Sequence, residues 1–253
     1  AVLSRATQGQ LSNESALNFA ETLDGWPAGL RFASLALARH SNPEDLFSKF
    51  DGKLPQISAY FGAEILARQP VEIRECLIYV SILESFCAPL CHHLWQAQML
   101  ERGVKSDLSG DEFLRHIKDN GIFCIDLDEH QQWFRLHHLF QDMLQQQLAT
   151  QYGAEKIFAL HLQASAWYEA EGMIDDALRH AMQAGGPEGS VAIMARHYSK
   201  LLDSEQWPWI ASWLSRMPEE LLRQSPELTV LKAFYLQNRG AGLGIDAWEL
   251  LDQ

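Results

Sequence analysis

Apolar residues recur at helical spacing through the first part of the chain. Ser12 can cap a helix running to Leu23, with Gly25 just past its end. Pro27 then stands at the first turn of a second helix, where its missing N–H would have lacked a partner anyway. That helix, AGLRFASLALAR, is apolar on most sides and therefore predicts burial against several neighbours. Residues 41–55 carry Pro43, Gly52 and Pro55 and read as a connector, followed by a helix in QISAYFGAEILARQ that ends before Pro70. Over residues 71–84, Ile73, Leu77, Val80 and Leu83 again have helical spacing, and two shorter helices fall at 88–100 and 110–119. At Asn120-Gly121 the period changes to two. Segments 122–127 (IFCIDL) and 132–136 (QWFRL) flank the polar turn DEHQ, the pattern of a β-hairpin. A helix of about fourteen residues, HHLFQDMLQQQLAT, follows at once. Three helices, a hairpin and a closing helix predict a winged-helix module.

Beyond Tyr152 the pattern is helical and paired. Trp167 and Tyr168 precede a turn at Gly172, and Ala177 and Ala181 follow it. Large aromatics on one helix faced by alanines on the next are how two-helix repeats pack. A second pair lies around HYSKLLDSEQWPWIASWLSRM and a third begins at Pro226. The expected fold is thus mainly α. Residues 1–55 form a small helical domain, 56–150 the winged-helix domain with one hairpin, and 151–253 the start of an irregular tetratricopeptide-like solenoid. Such arrays offer stacked concave surfaces to ligands or proteins.

Composition narrows the function. The chain has 253 residues and a formal net charge of −13 at pH 7. Across Ser106–Gln147 the bases Arg115, Lys118 and Arg135 face Asp107, Asp111, Glu112, Asp119, Asp126, Asp128, Glu129 and Asp142. An acidic recognition surface repels phosphate, so direct DNA reading by this winged helix is not expected. No apolar run is long enough to span a membrane, and the start lacks the order of a signal peptide, which predicts a cytoplasmic protein. The first residue is not Met and the chain ends within an apparent helix, AWELLDQ, which predicts a piece of something longer. The four cysteines, Cys76, Cys87, Cys91 and Cys124, read as reduced, mostly buried thiols rather than a disulfide framework.

Candidate chemistry is sparse. CAPLCHH sets Cys87 and Cys91 on one helical face beside His92, but zinc needs four convergent ligands, so buried thiols acting as small hydrophobes are the better reading. No nucleophile elbow, zinc-protease helix or phosphate-cradling G-x-x-x-x-G-K-[ST] loop occurs, and no enzyme is expected. The pairs Asp175-Asp176 and Glu219-Glu220 read as solvated helix surface, the second following Pro218 at a helix start. Trp207, Trp209 and Trp213 read as packing between helical pairs, with a ligand surface as the alternative.

Three segments together carry a family resemblance: DGWPAGLRFASLAL (24–37), AEILARQPVEIRECLIYVSILESFCAPLC (63–91) and WFRLHHLFQDMLQQQL (133–148). In order and spacing the chain resembles the MalT-like, LuxR-family ATP-dependent activators, which belong to the signal-transduction ATPases with numerous domains. The resemblance implies a switch in which a nucleotide-binding domain, upstream in the same chain, holds ADP at rest while the helical and winged-helix domains close over it. A small-molecule or protein inducer on the solenoid then opens the structure, ATP replaces ADP, the protein oligomerises, and a downstream helix-turn-helix binds promoters. It places two residues against ADP: Pro27 at the adenine and His137 at the β-phosphate. A histidine at the first turn of a helix suits an anion, because the helix's unpaired N–H groups point the same way. Read alone, Pro27 is better taken as starting a helix with Trp26 in the core, and His137 and His138 as capping or core residues at the hairpin–helix junction. Only the resemblance raises the nucleotide role, and it does so for His137 more than for His138. The departures from the family are the absent phosphate loop and DNA-binding tail, and His138 where plant relatives have Asp. The implied parent binds and slowly hydrolyses ATP. The competing expectation is a protein-interaction scaffold whose winged helix has no nucleotide role.

Overall fold

The computed structural model describes Gly62 and residues 65–130, 132–204 and 206–240. The helices expected at 12–23 and after Pro27, the connector at 41–55 and the 1–55 domain lie outside these residues. So does most of the 56–69 helix, whose described end is a 3-10 turn at Leu66–Arg68. No helix among the described residues is long and apolar enough to cross a membrane.

The chain divides into two compact units, one holding residues up to Trp95 together with Lys105–Gln151, the other Gln96–Val104 together with residues from Tyr152 onward. The first begins with α1 (Val71–Val80), α2 (Ala88–Arg102) and α3 (Gly110–Asp119), followed by β1 (Cys124–Asp126), β2 (Phe134–Leu136) and the start of α4 (His138–Ala170). This is the expected winged-helix order. Helix α1 is buried along six of its residues, Ile73 and Cys76–Val80, because it runs through the core rather than along a surface. It stops at Val80, short of the expected Glu84, and its end is closed by side chains. The amides of Gln141 and Gln145 each donate to the Ser81 carbonyl at 2.8 Å, and Gln141 donates to Leu83 as well. These bonds supply partners for carbonyls that a helix end leaves open.

Helix α3 is delimited by its own sequence. Ser109 and Glu112 form a reciprocal capping box at its start. At its end Gly121, at φ 59°, allows Gly121 N–H to reach the Lys118 carbonyl and Ile122 N–H that of Ile117, a Schellman closure. Phe113, Leu114 and Ile117 face inward, while Asp111, Glu112 and Arg115 lie outside the core. Its first residue, Gly110, lies against the backbone of Ala88: a Cβ there would stand 1.8 Å from the Ala88 carbonyl oxygen. The buried indole of Trp95 is satisfied through a relay, donating to Ser106 Oγ at 2.9 Å, which donates to Glu72 at 2.7 Å.

The hairpin is shorter than expected, with three residues a side and the register Cys124↔Leu136, Ile125↔Arg135, Asp126↔Phe134. Asp128 holds its turn by accepting from the N–H groups of Gln132 and Trp133. On its other edge β2 pairs with a single residue, Phe86, through N···O bonds of 2.8 and 2.9 Å in both directions.

The closing helix ends about where it was expected to. The helical run continues to Ala170, but Gly153 leaves the helical range at φ 75° and ψ −179°, so α4 consists of two segments. In the second unit the later segment is followed by α5 (Ile174–Gln183), α6 (Pro187–Arg196), α7 (Tyr198–Asp203), α8 (Trp207–Leu214), α9 (Glu219–Arg223) and α10 (Pro226–Gly240). Gln98 on α2 donates to Gln163, and Lys156 meets Glu101 at 2.6 Å. Tyr168, Ala177 and Ala181 are buried as the aromatic-against-alanine pattern requires. Small residues let the backbones approach: Ser165 Oγ donates to the Ala177 carbonyl and Ser190 Oγ to that of Leu178. Helix α10 packs against α6, α7, α8 and α9.

Two acidic positions, exposed as the solvated reading expects, also hold partners on other helices. Asp175 accepts from the indole N–H groups of both Trp209 (2.7 Å) and Trp213 (2.9 Å), with Arg179 beside it, and its carboxyl is lowered. Burial opposes that shift; the two indoles and Arg179 outweigh it. The bonds join α5 to α8, and Trp213, only 3% exposed, is core as the packing reading expects. Glu219, at a helix start, holds Lys232 on α10 at 2.7 Å. Separation in sequence conceals such partners.

Between α4 and α5 the Nδ1 atoms of His161 and His180 stand 2.8 Å apart, and the His180 ring stacks on Tyr168. One nitrogen must donate and the other accept, so a second proton at that contact is excluded. Burial pushes His161 down to about 4; burial, then the His161 and Arg179 charges, push His180 down to about 3.

Two outcomes follow from this packing. Gly110→Ala leaves its Cβ no space beside the Ala88 backbone, and should lower unfolding free energy by roughly 2–3 kcal/mol in urea titration. The histidine pair binds fewer protons folded than unfolded, where each titrates near 6.5. Stability should therefore be constant above about pH 7 and fall as the pH drops through 6.5 toward 4. Discounting for the partial exposure of His161, the loss from pH 7 to pH 5 should be roughly 2 kcal/mol, and should largely disappear in a His161→Gln/His180→Gln variant. An equal slope in the two proteins would show that the pair does not titrate on unfolding.

Candidate functional site

His137 occupies the junction of hairpin and closing helix, and backbone bonds hold it on both sides. Its N–H donates to the Phe123 carbonyl at 2.9 Å, extending the β1–β2 ladder by one rung. Its carbonyl accepts from Phe140 and Gln141, opening the first turn of α4. The side chain has little rotational choice. The ring meets Phe123 edge-on at 6.3 Å and stacks on His138 at 4.7 Å with an interplanar angle of 21°. The residue is 5% exposed. His138 is thus placed against His137 as a neighbouring plate.

That side chain forms part of the wall of a concavity of about 420 Å³, together with Lys118, the turn at 121–123, Cys124 and Asp126. Lys118 projects from the last turn of α3. Its Nζ lies 4.0 Å from the Asp126 carboxylate and 4.3 Å from the centroid of the Phe134 ring. The face of the aromatic ring attracts the ammonium electrostatically and holds it there. The concavity therefore joins an imidazole, an ammonium and a carboxylate at the start of a helix whose N–H groups favour anions. These groups can bind and orient a charged ligand.

The same wall lacks a nucleophile. Burial first, and the Asp126 charge second, push the Cys124 thiol up to about 11, with Lys118 opposing weakly. Cys76 and Cys91 are raised further by burial alone or burial with their neighbouring thiols. All four cysteines are free, and no group of three or more metal-ligating side chains among the described residues could hold an ion.

Of the two residues placed by the resemblance, His137 stands in this concavity and Pro27 lies outside the described residues. Lys118 and Asp126 entered the sequence reading only as members of a charge tally. Nothing in their spacing sets them beside His137; the Schellman turn after α3 and the hairpin register do so. The one available signal was Asn120-Gly121, which marks where the chain folds back.

Comparison with known proteins places the winged helix in a family. Residues 62–156 match the family model described as the MalT winged helix domain. Over 220 residues, 86% of this chain, it is 26% identical to the serine/threonine-protein kinase PknK of Mycobacterium tuberculosis. The PknK of Mycobacterium bovis matches at the same identity and coverage. The chain spans about a fifth of the length of these relatives, 19% of each.

The protonated thiols make a direct expectation. At pH 7.5 a maleimide should label the folded chain slowly and only at Cys124, whereas all four cysteines should react at once in denaturant. Rapid labelling of the folded protein would place a thiolate in the concavity.

Proposed function

We propose, from the match of residues 62–156 to the MalT winged helix domain and the likeness to PknK, that the chain is the regulatory segment of a nucleotide-switched, MalT-like bacterial transcription activator. In this reading the segment closes over ADP bound by a nucleotide-binding domain of the same polypeptide. His137 contacts the β-phosphate, and Pro27 packs against the adenine. The helical pairs after Tyr152 act as the start of a tetratricopeptide-like sensor that receives a small-molecule or protein inducer and relays its binding. Exchange of ADP for ATP then permits oligomerisation, and a downstream domain reads promoter DNA. The segment itself neither hydrolyses ATP nor touches DNA.

The observation that carries the reading is the placement of His137. It is anchored by backbone bonds on both sides, packed between Phe123 and His138, and part of the concavity that Lys118 also lines. A rigid imidazole needs no reordering to meet a phosphate, so little of the contact energy is lost to entropy. The acids around the hairpin, Asp126, Asp128 and Glu129, favour a structural role for the winged helix over the reading of extended duplex DNA. A phosphate held at one protected point requires only local cationic and N–H donors.

Calorimetric titration of ADP into the full-length polypeptide, wild type and His137→Ala, tests this. Loss of a charge-assisted contact should weaken ADP by about 1–3 kcal/mol, roughly 5- to 150-fold, with ATP less affected. Equal ADP affinity in the two proteins would favour the interaction-scaffold reading.

A further inference from the structure

We propose that the contact between Lys118 and Asp126 is a charge latch across the concavity lined by His137, and that Asp126 thereby sets how tightly this site takes a phosphate group. The proposal rests on the phosphate-contact reading of His137. Three features of the wall carry it.

The first is charge. Lys118 and Asp126 bear the formal charges among the residues that line the concavity, and they face each other across it. With the two paired the wall is nearly neutral, and an incoming phosphate meets a carboxylate beside the ammonium it needs. The second is weakness. The Nζ–Oδ1 separation of 4.0 Å is at the outer limit of an ion pair, and the side chains are 33% and 46% exposed. Such a pair contributes little by itself, so a ligand with more than one negative charge can displace it. The third is anchorage. The Lys118 ammonium lies 4.3 Å from the centroid of the Phe134 ring, and Phe134 is fully buried at the centre of the sheet. The ring contact holds the ammonium in place, so that a ligand at His137 can replace Asp126 as its partner without the ammonium leaving the wall that Lys118 and His137 both line.

Asp126 is suited to this role because its backbone and side chain do separate things. The backbone pairs with Phe134 in the hairpin register, which Asn supports equally, while the side chain points to the rim. Its carboxylate opposes an anion in two ways, by holding Lys118 and by direct repulsion. Removing the charge should therefore tighten phosphate binding, an outcome that a merely structural aspartate would not produce.

The test is ADP titration of the full-length polypeptide at low salt, comparing wild type with Asp126→Asn, Lys118→Met, Lys118→Arg and the Lys118→Met/Asp126→Asn double variant. Asp126→Asn should tighten ADP about threefold to tenfold, Lys118→Met should weaken it about tenfold, and Lys118→Arg should stay near wild type. The gain from Asp126→Asn should be smaller in the Lys118→Met background, since part of it comes from the released ammonium. If Asp126→Asn changes affinity less than twofold while His137→Ala weakens it, the latch is wrong and the phosphate contact stands. If His137→Ala also has no effect, both fall together. Unchanged thermal unfolding of Asp126→Asn and Lys118→Met would assign the differences to binding; unfolding of either would mark the residue as structural and overturn the latch.

Discussion

The winged-helix unit depends on the pairing of Phe134 on both edges. Its N–H and carbonyl both bond to Phe86, while its register partner across the hairpin is Asp126. A two-stranded hairpin of three residues a side is marginal by itself. The Phe86 bridge ties β2 to the loop between α1 and α2, so the hairpin is built into the helical core rather than projecting from it. The Phe134 side chain is fully buried beneath the Lys118 ammonium. One residue thus joins the sheet, the core and the rim of the concavity, and the strand it anchors delivers His137 to its place at the start of α4.

The anchoring also explains how a largely acidic module can present an anion-compatible point. Net charge acts at long range and governs encounter with an extended polyanion such as duplex DNA. A single phosphate seated in a concavity responds to the nearest donors. There the N-terminal turn of α4, His137 and Lys118 lie together, while Asp128 is engaged with the backbone of its own turn. On the proposed reading, the same chain disfavours nucleic acid and still accepts a nucleotide's terminal phosphate.

The helical unit follows a different logic. Its helices approach through Ala177, Ala181 and Ser190, and several of its polar groups find partners on neighbouring helices. Asp175 collects two indole N–H groups, Glu169 a bidentate Arg196 and the ring of His197, and His161 shares a single proton with His180. Each such contact has a direction and a required partner, so each specifies register more strongly than apolar packing alone.

How much was legible without the structure depended on the range of the physics involved. Helical spacing at Ile73, Leu77 and Val80, the Ser109–Glu112 capping box, the period change at Asn120-Gly121 and the aromatic-against-alanine pattern around Gly172 are all local. Among the described residues, these local signals settle the order of elements, the hairpin, the winged-helix type of the first unit and the helical character of the second. The sequence by itself also carried the family resemblance, because that rests on ordered short motifs. The tertiary structure alone decided that Phe86 completes the sheet, that Gly110 must be glycine to meet Ala88, and that Asp175 serves two tryptophans. It alone set Lys118 and Asp126 beside His137. Periodicity and capping are settled by residues within a turn or two of one another, whereas these contacts arise only when turns, small residues and strand register have brought distant segments together.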